Sequence, residues 1–329
     1  MLLRRLASLK FTLVGMLLLA GGAMLSYGNP VDVSAWVLVV PLTLLALNLT
    51  AAIVTNPHIN RQPGLLVFHV CLLATVLLVG VGRLTHLDAH VEMAQNEAFS
   101  KEALLEAEKG PWHAGDLDKV QFTQGIYTVD YAPNLKRGLT HSQVFLPASD
   151  GSVVEQDVGD DRPLILHRYR FYTTHNKGFA PILTWMPTRG EPITGRINMP
   201  SYPLYDYKQD NFWTPPGTDE KIKFWLQLHA GLTLENPWVL DGRNATGTLV
   251  VTSGDKRVEL EAGDEVSLAH GRLRYESLTT WMGYRVFYDP TLQWLFWVTI
   301  AGVLGLTHFF WNKLNLAAWV DDESQGGKV

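Results

Sequence analysis

The sequence predicts a membrane protein: four transmembrane α-helices, three N-terminal and one C-terminal, with a large mostly-β extracytoplasmic domain between spans three and four. Two observations carry this. Windows free of acidic and basic side chains, each about as long as the ~20 residues a bilayer requires, lie only at the two ends of the 329-residue chain. Between them, a more polar stretch of roughly 200 residues is organised as short alternating runs punctuated by Gly, Pro and Asn. The mean hydropathy of +0.04 averages over this partition.

The first apolar window is 11–28, preceded by Arg4, Arg5 and Lys10. Its length is that of a span rather than of a secretory signal core, and no small-x-small cleavage site leads into a polar start, so a retained helix is expected. The second, 34–54, carries Pro41, which removes one backbone donor and should kink the helix. The third, 64–82, contains His69 and ends in Arg83, with His86 and His90 just beyond. The fourth, 290–312, contains His308. Residues 1–84 therefore form the N-terminal helices, 85–289 the polar domain and 313–329 a tail ending DDESQGGKV, expected to be disordered. Trp36, Trp294, Trp297 and Trp311 flank the spans as interfacial anchors, and Gly21, Gly22, Gly80, Gly82, Gly302 and Gly305 would permit close helix packing.

Orientation follows from basic residues in the short loops. Arg4, Arg5, Lys10, Arg61 and Lys313 fall on one side, and the loop 29–34 on the other side has none. Both termini are expected in the cytoplasm of a cell inner membrane, with the large domain periplasmic. Arg83 violates the bias, but a long translocated segment follows it and weakens the rule there.

The segment 92–109, rich in Glu, Ala, Leu and Lys, predicts a short helical connector. From Val120 the runs QFTQGIYTVDY, SQVFLP, LILHRYRFYTT, APILTWM and GTLVVTS alternate as strands do, which predicts a sandwich or an open barrel interrupted by an irregular Tyr-, Pro- and Asp-rich insert at 200–217. This domain holds 28 acidic against 20 basic residues, a balance of −8 that argues against nucleic acid as a partner. The single cysteine, Cys71, lies in the third apolar window, so the polar domain can perform no dithiol exchange and build no thiolate zinc site; with no CxxCH, the chain attaches no c-type heme to itself. It has no nucleophile elbow, P-loop or dinucleotide fingerprint, and no carboxylate pair arranged as acid and base. A self-contained active site is therefore not expected.

His69 is the residue that needs a reason. A titratable ring inside a span is costly and usually faces a protein interior or a cofactor; a hydrogen bond to a neighbouring helix is the plainer explanation. His69 lies eight residues after Arg61, and His308 five residues before Lys313 in a span running the other way, which sets the two at similar depth. Two buried histidines on facing helices can hold heme b through both axial positions, and unrelated interhelical hydrogen bonds would explain them equally. His86 and His90, spaced i, i+4, would share a face if the helix continued, as weaker ligand candidates or simply as a solvated helix end. His113, His141, His167, His175, His229 and His270 show no metal-ligand spacing.

Several stretches resemble the ResB-like family of system II cytochrome c biogenesis: SLKFTLVGMLLLAG, LNLTAAIVTNPHINRQPGLLVFHVCLL, FTQGIYTVDYAPNLKRGLTHSQVFLP and EAGDEVSLAHGRLRYESLTTWMGYRVFYDPTLQWLFWVTIAGV, in that order. The likeness covers most of the chain and lies in order and topology rather than in one strict signature. It implies a subunit that works with a CcsA/ResC-type membrane protein to carry heme across the membrane and attach it to apocytochrome c. It also implies that His69, matching the family's third-span histidine, ligates heme iron, with the opposing ligand supplied by the partner. The chain departs from the family in its short outer domain and in His308, a potential second ligand of its own; it also lacks the WGxxWxWD-like stretch that belongs to the partner. Three readings remain open: this biogenesis subunit, a membrane b-type cytochrome using His69 and His308 for electron transfer, and a non-catalytic assembly scaffold.

Overall fold

The structure, a computed structural model, describes residues 2–28, 30–148, 150–229 and 235–325. Its residues group into two compact units, one containing 1–88, 107–115 and 288–329, the other 89–106 and 116–287.

The first unit is helical: α1 (Leu2–Leu6), α2 (Leu9–Gly28), α3 (Trp36–Thr55), α4 (Pro57–Asn60), α5 (Pro63–Thr85) and α6 (Leu292–Gln325). Four segments are long and apolar enough to cross a membrane: α2, α3, α5 and the part of α6 from Leu292 to Trp311. Starts and stops follow local chemistry. Asn56 caps α4 by accepting a hydrogen bond from the His58 amide at 3.0 Å, and Pro57 occupies the first helical position, where its missing N–H costs nothing. Pro63 plays the same part in α5. Pro41 sits inside α3, so the carbonyl of Val37 loses its intrahelical donor. That carbonyl lies against Gly22 of α2, where an added Cβ would come within 2.7 Å of it, so glycine is required at this crossing. Asn48 closes the N-terminal end of the unit. Its amide nitrogen donates to Leu6 O at 2.5 Å, and its Oδ1 accepts from Thr12 Oγ1 at 2.8 Å.

The strands, which lie in the second unit apart from the start of β1, the last three residues of β2 and the last residue of β15, are β1 (Leu87–Ala94), β2 (Leu105–Lys109), β3 (Thr123–Ala132), β4 (Lys136–Pro147), β5 (Val153–Gly159), β6 (Leu164–Leu166), β7 (Tyr169–Pro187), β8 (Ile193–Arg196), β9 (Asp210–Trp213), β10 (Ile222–Leu228), β11 (Trp238–Asp241), β12 (Gly247–Ser253), β13 (Lys256–Leu260), β14 (Glu265–Leu268) and β15 (Gly271–Tyr288). Three sheets result. One runs β2-β1-β15-β7-β6 with β14 and β8 added at its flanks; the others run β13-β12-β10-β9 and β11-β3-β4-β5. The long pair β7 and β15 is antiparallel, with register shifts at Tyr275/Ser277 and Met282/Tyr284 that bend it. The core is aromatic, with Tyr127, Tyr169, Phe171, Trp185, Phe224, Tyr275 and Tyr284 all buried. Buried hydroxyls are satisfied. Tyr284 donates to Gln124 Oε1 at 2.7 Å, Gln124 Nε2 donates to Ser142 Oγ at 2.9 Å, and Ser142 returns to Tyr284 at 2.7 Å, closing a ring of three bonds.

Two expectations are corrected. Residues 92–109 contain no α-helix: they comprise the end of β1, a 3-10 turn at Lys101–Ala103 and β2. In β1 the positions Leu87, Ala89, Val91 and Met93 are buried in strict alternation, and that period-two burial outweighs the helix propensity of Glu, Ala and Leu. The tail is not irregular from residue 321, because α6 continues to Gln325; the last four residues lie outside those described.

Candidate functional site

The candidate site is the length of α5, from Pro63 to Thr85, with what surrounds each end. One face of α5 packs on α6 through small residues. A Cβ at Gly64 would lie 2.6 Å from Gly305 O and 2.7 Å from Phe309 N; one at Gly305 would lie 2.8 Å from Val67 Cγ1; one at Gly302 would lie 3.1 Å from Cys71 Cβ. Gly64, Val67 and Cys71 thus form the contact stripe at i, i+3 and i+7.

His69 precedes Cys71 by two residues, about 160° around an ideal helix, so it points to the side of α5 away from α6. The ring is half-buried. Its Nδ1 lies 2.8 Å from Leu65 O, and because a carbonyl can only accept, the proton is on Nδ1. Nε2 of the neutral ring then keeps its lone pair. A backbone carbonyl holding one imidazole nitrogen while the other stays free to bond a metal is the usual support of a histidine ligand. Phe68 meets the ring edge-on with centroids 5.4 Å apart.

His308 lies elsewhere. It precedes Phe309, the α6 residue against Gly64, by one position, about 100° around the helix. It lines a pocket of about 380 Å³ at the Pro63 end of α5, together with His58, Arg61, Gln62, Pro63, Gly64, Phe309 and Lys313; His69 is not among the lining residues. Similar depth does not bring the two rings together, because depth does not set azimuth and α5 turns His69 away from the helix that carries His308. His58 Nδ1 lies 3.3 Å from the side-chain nitrogen of Gln62, which donates to it, leaving the proton of the neutral His58 ring on Nε2.

At the Thr85 end the helix stops at His86, the C-cap, whose extended backbone opens β1. His86 and His90 therefore do not share a helical face. On an extended strand four residues span about 13 Å, too far for both rings to reach one ion. His86 is buried and joins Arg83 and Glu108. Arg83 Nη2 donates to Glu108 Oε1 at 2.6 Å; His86 Nε2 is 3.3 Å from the same oxygen and 3.5 Å from Arg83 Nη1; His86 Nδ1 donates to Arg83 O at 3.0 Å. With Nδ1 committed, Nε2 either accepts from Arg83 when the ring is neutral or donates to Glu108 when it is charged. Arg83 also reaches Ser26 Oγ at 3.4 Å. The segment 107–115 is pinned beside the cluster by Gly110 N to His86 O at 2.9 Å and Trp112 N to Leu84 O at 2.7 Å. His113 lies 2.8 Å from Thr85 O and packs edge-on against Tyr288. Burial above all holds the His113 imidazole below the ordinary histidine range, against the bond to Thr85, with Lys109 and His86 nearby adding to the lowering. His90, in the other unit, has its Nδ1 3.9 Å from a carboxylate oxygen of Glu106.

Sequence reasoning singled out His86 and Arg83 separately but not their link to each other or to Glu108. The available signal was Arg83, a cation at the wrong end of a span for the charge bias; Glu108 is 25 residues from it and no local pattern links them. Among the described residues, no group of three or more His, Cys, Asp or Glu is placed to hold a metal ion. A pocket of the β-rich unit, about 780 Å³, is lined by Glu92, Asn176, Asn198, Tyr205, Phe212 and Trp281 among others, with no histidine among its described lining residues.

No family model and no curated protein matches the chain. Among solved structures, a similar one is "Cytochrome c Heme Lyase CcmF", at 14% identity and a TM-score of 0.28, over 92% of this chain and 35% of that one. The chain thus spans about a third of the length of that protein.

Proposed function

We propose that this chain is a ResB-like subunit of a system II cytochrome c biogenesis complex, handling heme at the inner membrane with a CcsA/ResC-type partner. In this reading His69 gives one axial nitrogen to heme b and the partner gives the other. The observation that carries it is the state of His69: an imidazole within an apolar helix, Nδ1–H held by Leu65 O, Nε2 left with its lone pair, on the side of α5 turned from α6. A residue that only bridged helices would direct a ring nitrogen to a neighbouring helix; this one bonds its own. When bound, heme would supply an iron centre that takes a neutral imidazole nitrogen.

The chain's own residues do the rest. Leu65 O fixes the tautomer and aims the ring, and Phe68 restricts its rotation. The β-rich unit, on the extracytoplasmic side with both termini cytoplasmic, would serve the partner or the apocytochrome c.

The test is the optical spectrum of the purified chain, alone and with its CcsA/ResC-type partner. The expected result is a reduced b-type spectrum that requires the partner, is abolished in His69→Ala and survives in His308→Ala. Loss in both variants, with heme retained by the chain alone, would establish a self-contained bis-histidine cytochrome instead. No heme under any condition would leave the assembly scaffold. Deleting the gene should abolish c-type cytochromes on heme-stained gels; normal staining would refute the biogenesis role.

A further inference from the structure

We propose that the pocket at the Pro63 end of α5 binds the phosphate of an anionic phospholipid head group. The site is independent of the heme reading, since His69 takes no part in it. Its wall brings together Arg61, Lys313, His58 and His308 around about 380 Å³, closed by Gln62, Pro63, Gly64 and Phe309. Among the described residues, no carboxylate lines it. Among the described residues, neither Arg61 nor Lys313 takes part in a salt bridge with a carboxylate. Two permanent cations therefore converge on a concavity whose described wall holds no carboxylate.

The depth of the pocket selects a lipid over a soluble anion. Arg61 stands two residues before the start of α5, and Lys313 two residues after Trp311, the last residue of the apolar part of α6. The pocket therefore lies where hydrocarbon gives way to head groups, next to an interfacial tryptophan. Basic pockets between transmembrane helices at this depth suit phosphodiester head groups. Below it, α5 and α6 expose Val67, Val70, Val303 and Leu304, apolar surface along which acyl chains can lie. The pocket also sits at the N-terminal end of a 23-residue helix, whose dipole adds to the attraction for an anion. His58 contributes an Nε2–H donor even when neutral, and Phe309 and Pro63 supply the apolar rim that the glycerol carbons need.

The experiment uses the full chain in mild detergent, titrated with dioleoyl phosphatidylglycerol or dioleoyl phosphatidylcholine and read by native mass spectrometry. Phosphatidylglycerol should be retained preferentially. Arg61→Gln and Lys313→Gln should each weaken that retention about five-fold, and together about 25-fold, at about the energy of one basic side chain each near an anionic surface, with phosphatidylcholine unaffected. Arg4→Gln with Arg5→Gln, which removes two cations outside the pocket, should change little. Equal retention of the two lipids, or equal losses from the Arg4/Arg5 pair, would reduce the effect to diffuse surface charge and overturn the site. Displacement of phosphatidylglycerol by micromolar inorganic phosphate would overturn the lipid assignment in favour of a soluble anion. Unchanged thermal unfolding of the variants without added lipid would show that a loss is not misfolding.

Discussion

Lys177 is the most exacting single side chain in the β-rich unit. It is 1% exposed, and its Nζ makes one long bond, 3.4 Å, to Thr140 Oγ1. Burial pushes its pKa down to about 7; Arg137 adds to this, and Asp160, occupied by its own pair with Arg137, opposes it. The folded pKa lies below the unfolded one, so the unfolded chain binds the extra proton. Stability should therefore rise with pH from about 7 towards the ordinary lysine value of 10.5; as pH falls the loss begins near 10.5 and is complete by about 7, below which both states carry the proton. In detergent, denaturant unfolding of the full chain should show a slope up to about 1.4 kcal/mol per pH unit steeper than in Lys177→Met. Parallel curves would mean that Lys177 stays charged in the folded state. The ring of Gln124, Ser142 and Tyr284 shows the cheaper arrangement, in which every buried polar atom has a neutral partner. Neither feature could be read in the sequence: Lys177 looks like any strand lysine, and Ser142 and Tyr284 are 142 residues apart. The imidazole of His69, by contrast, stood out at once, because a histidine in an apolar window is conspicuous anywhere.

α5 is a helix with two jobs on two faces. The Gly64, Val67, Cys71 face lets α6 approach to backbone contact; the opposite face presents His69. The close crossing can be tested through the chain's one cysteine. In Gly302→Cys the two β-carbons would start about 3.1 Å apart, slightly tighter than a relaxed disulfide, and a shift of a few tenths of an ångström would bring them into range. Mild oxidation should cross-link α5 to α6, seen as fragments that stay joined on a non-reducing gel after cleavage in the polar domain. Failure to cross-link would place the contact stripe elsewhere. Gly64→Leu, driving a side chain into the Gly305 carbonyl, should prevent this crossing and lower the yield of folded protein. β1 teaches the opposite lesson to α5. LDAHVEMA reads as a helix by composition and as a strand by alternation, and pairing with β2 and β15 decides in favour of the strand.

For the molecule as a whole, the topology proposed above, with both termini on one side of the membrane and the β-rich unit on the other, is tested by labelling. In a Cys71→Ser background, Ser152→Cys should react with a membrane-impermeant maleimide in intact spheroplasts, and Asn60→Cys only after permeabilisation. The reverse pattern would invert the orientation and place the Arg61 and Lys313 pocket on the outer leaflet. Either way the pocket keeps its depth, because Arg61 and Lys313 bracket the same ends of α5 and α6.

Hydrophobic length and alternation are local quantities, and everything that depends on them was decided by the sequence alone: four spans, a β-rich unit between the third and fourth, and a histidine set within the third. What faces what is not local. The sequence placed His69 and His308 at one depth, but the glycine stripes of α5 and α6 set the rotation of each helix and so sent the two rings to different neighbours. Arg83, His86 and Glu108 met only because the chain, after passing through β1, returns to the end of α5 in β2. Rotation about a helix axis and the return of a distant segment are packing outcomes, and packing is where the tertiary structure decided this protein.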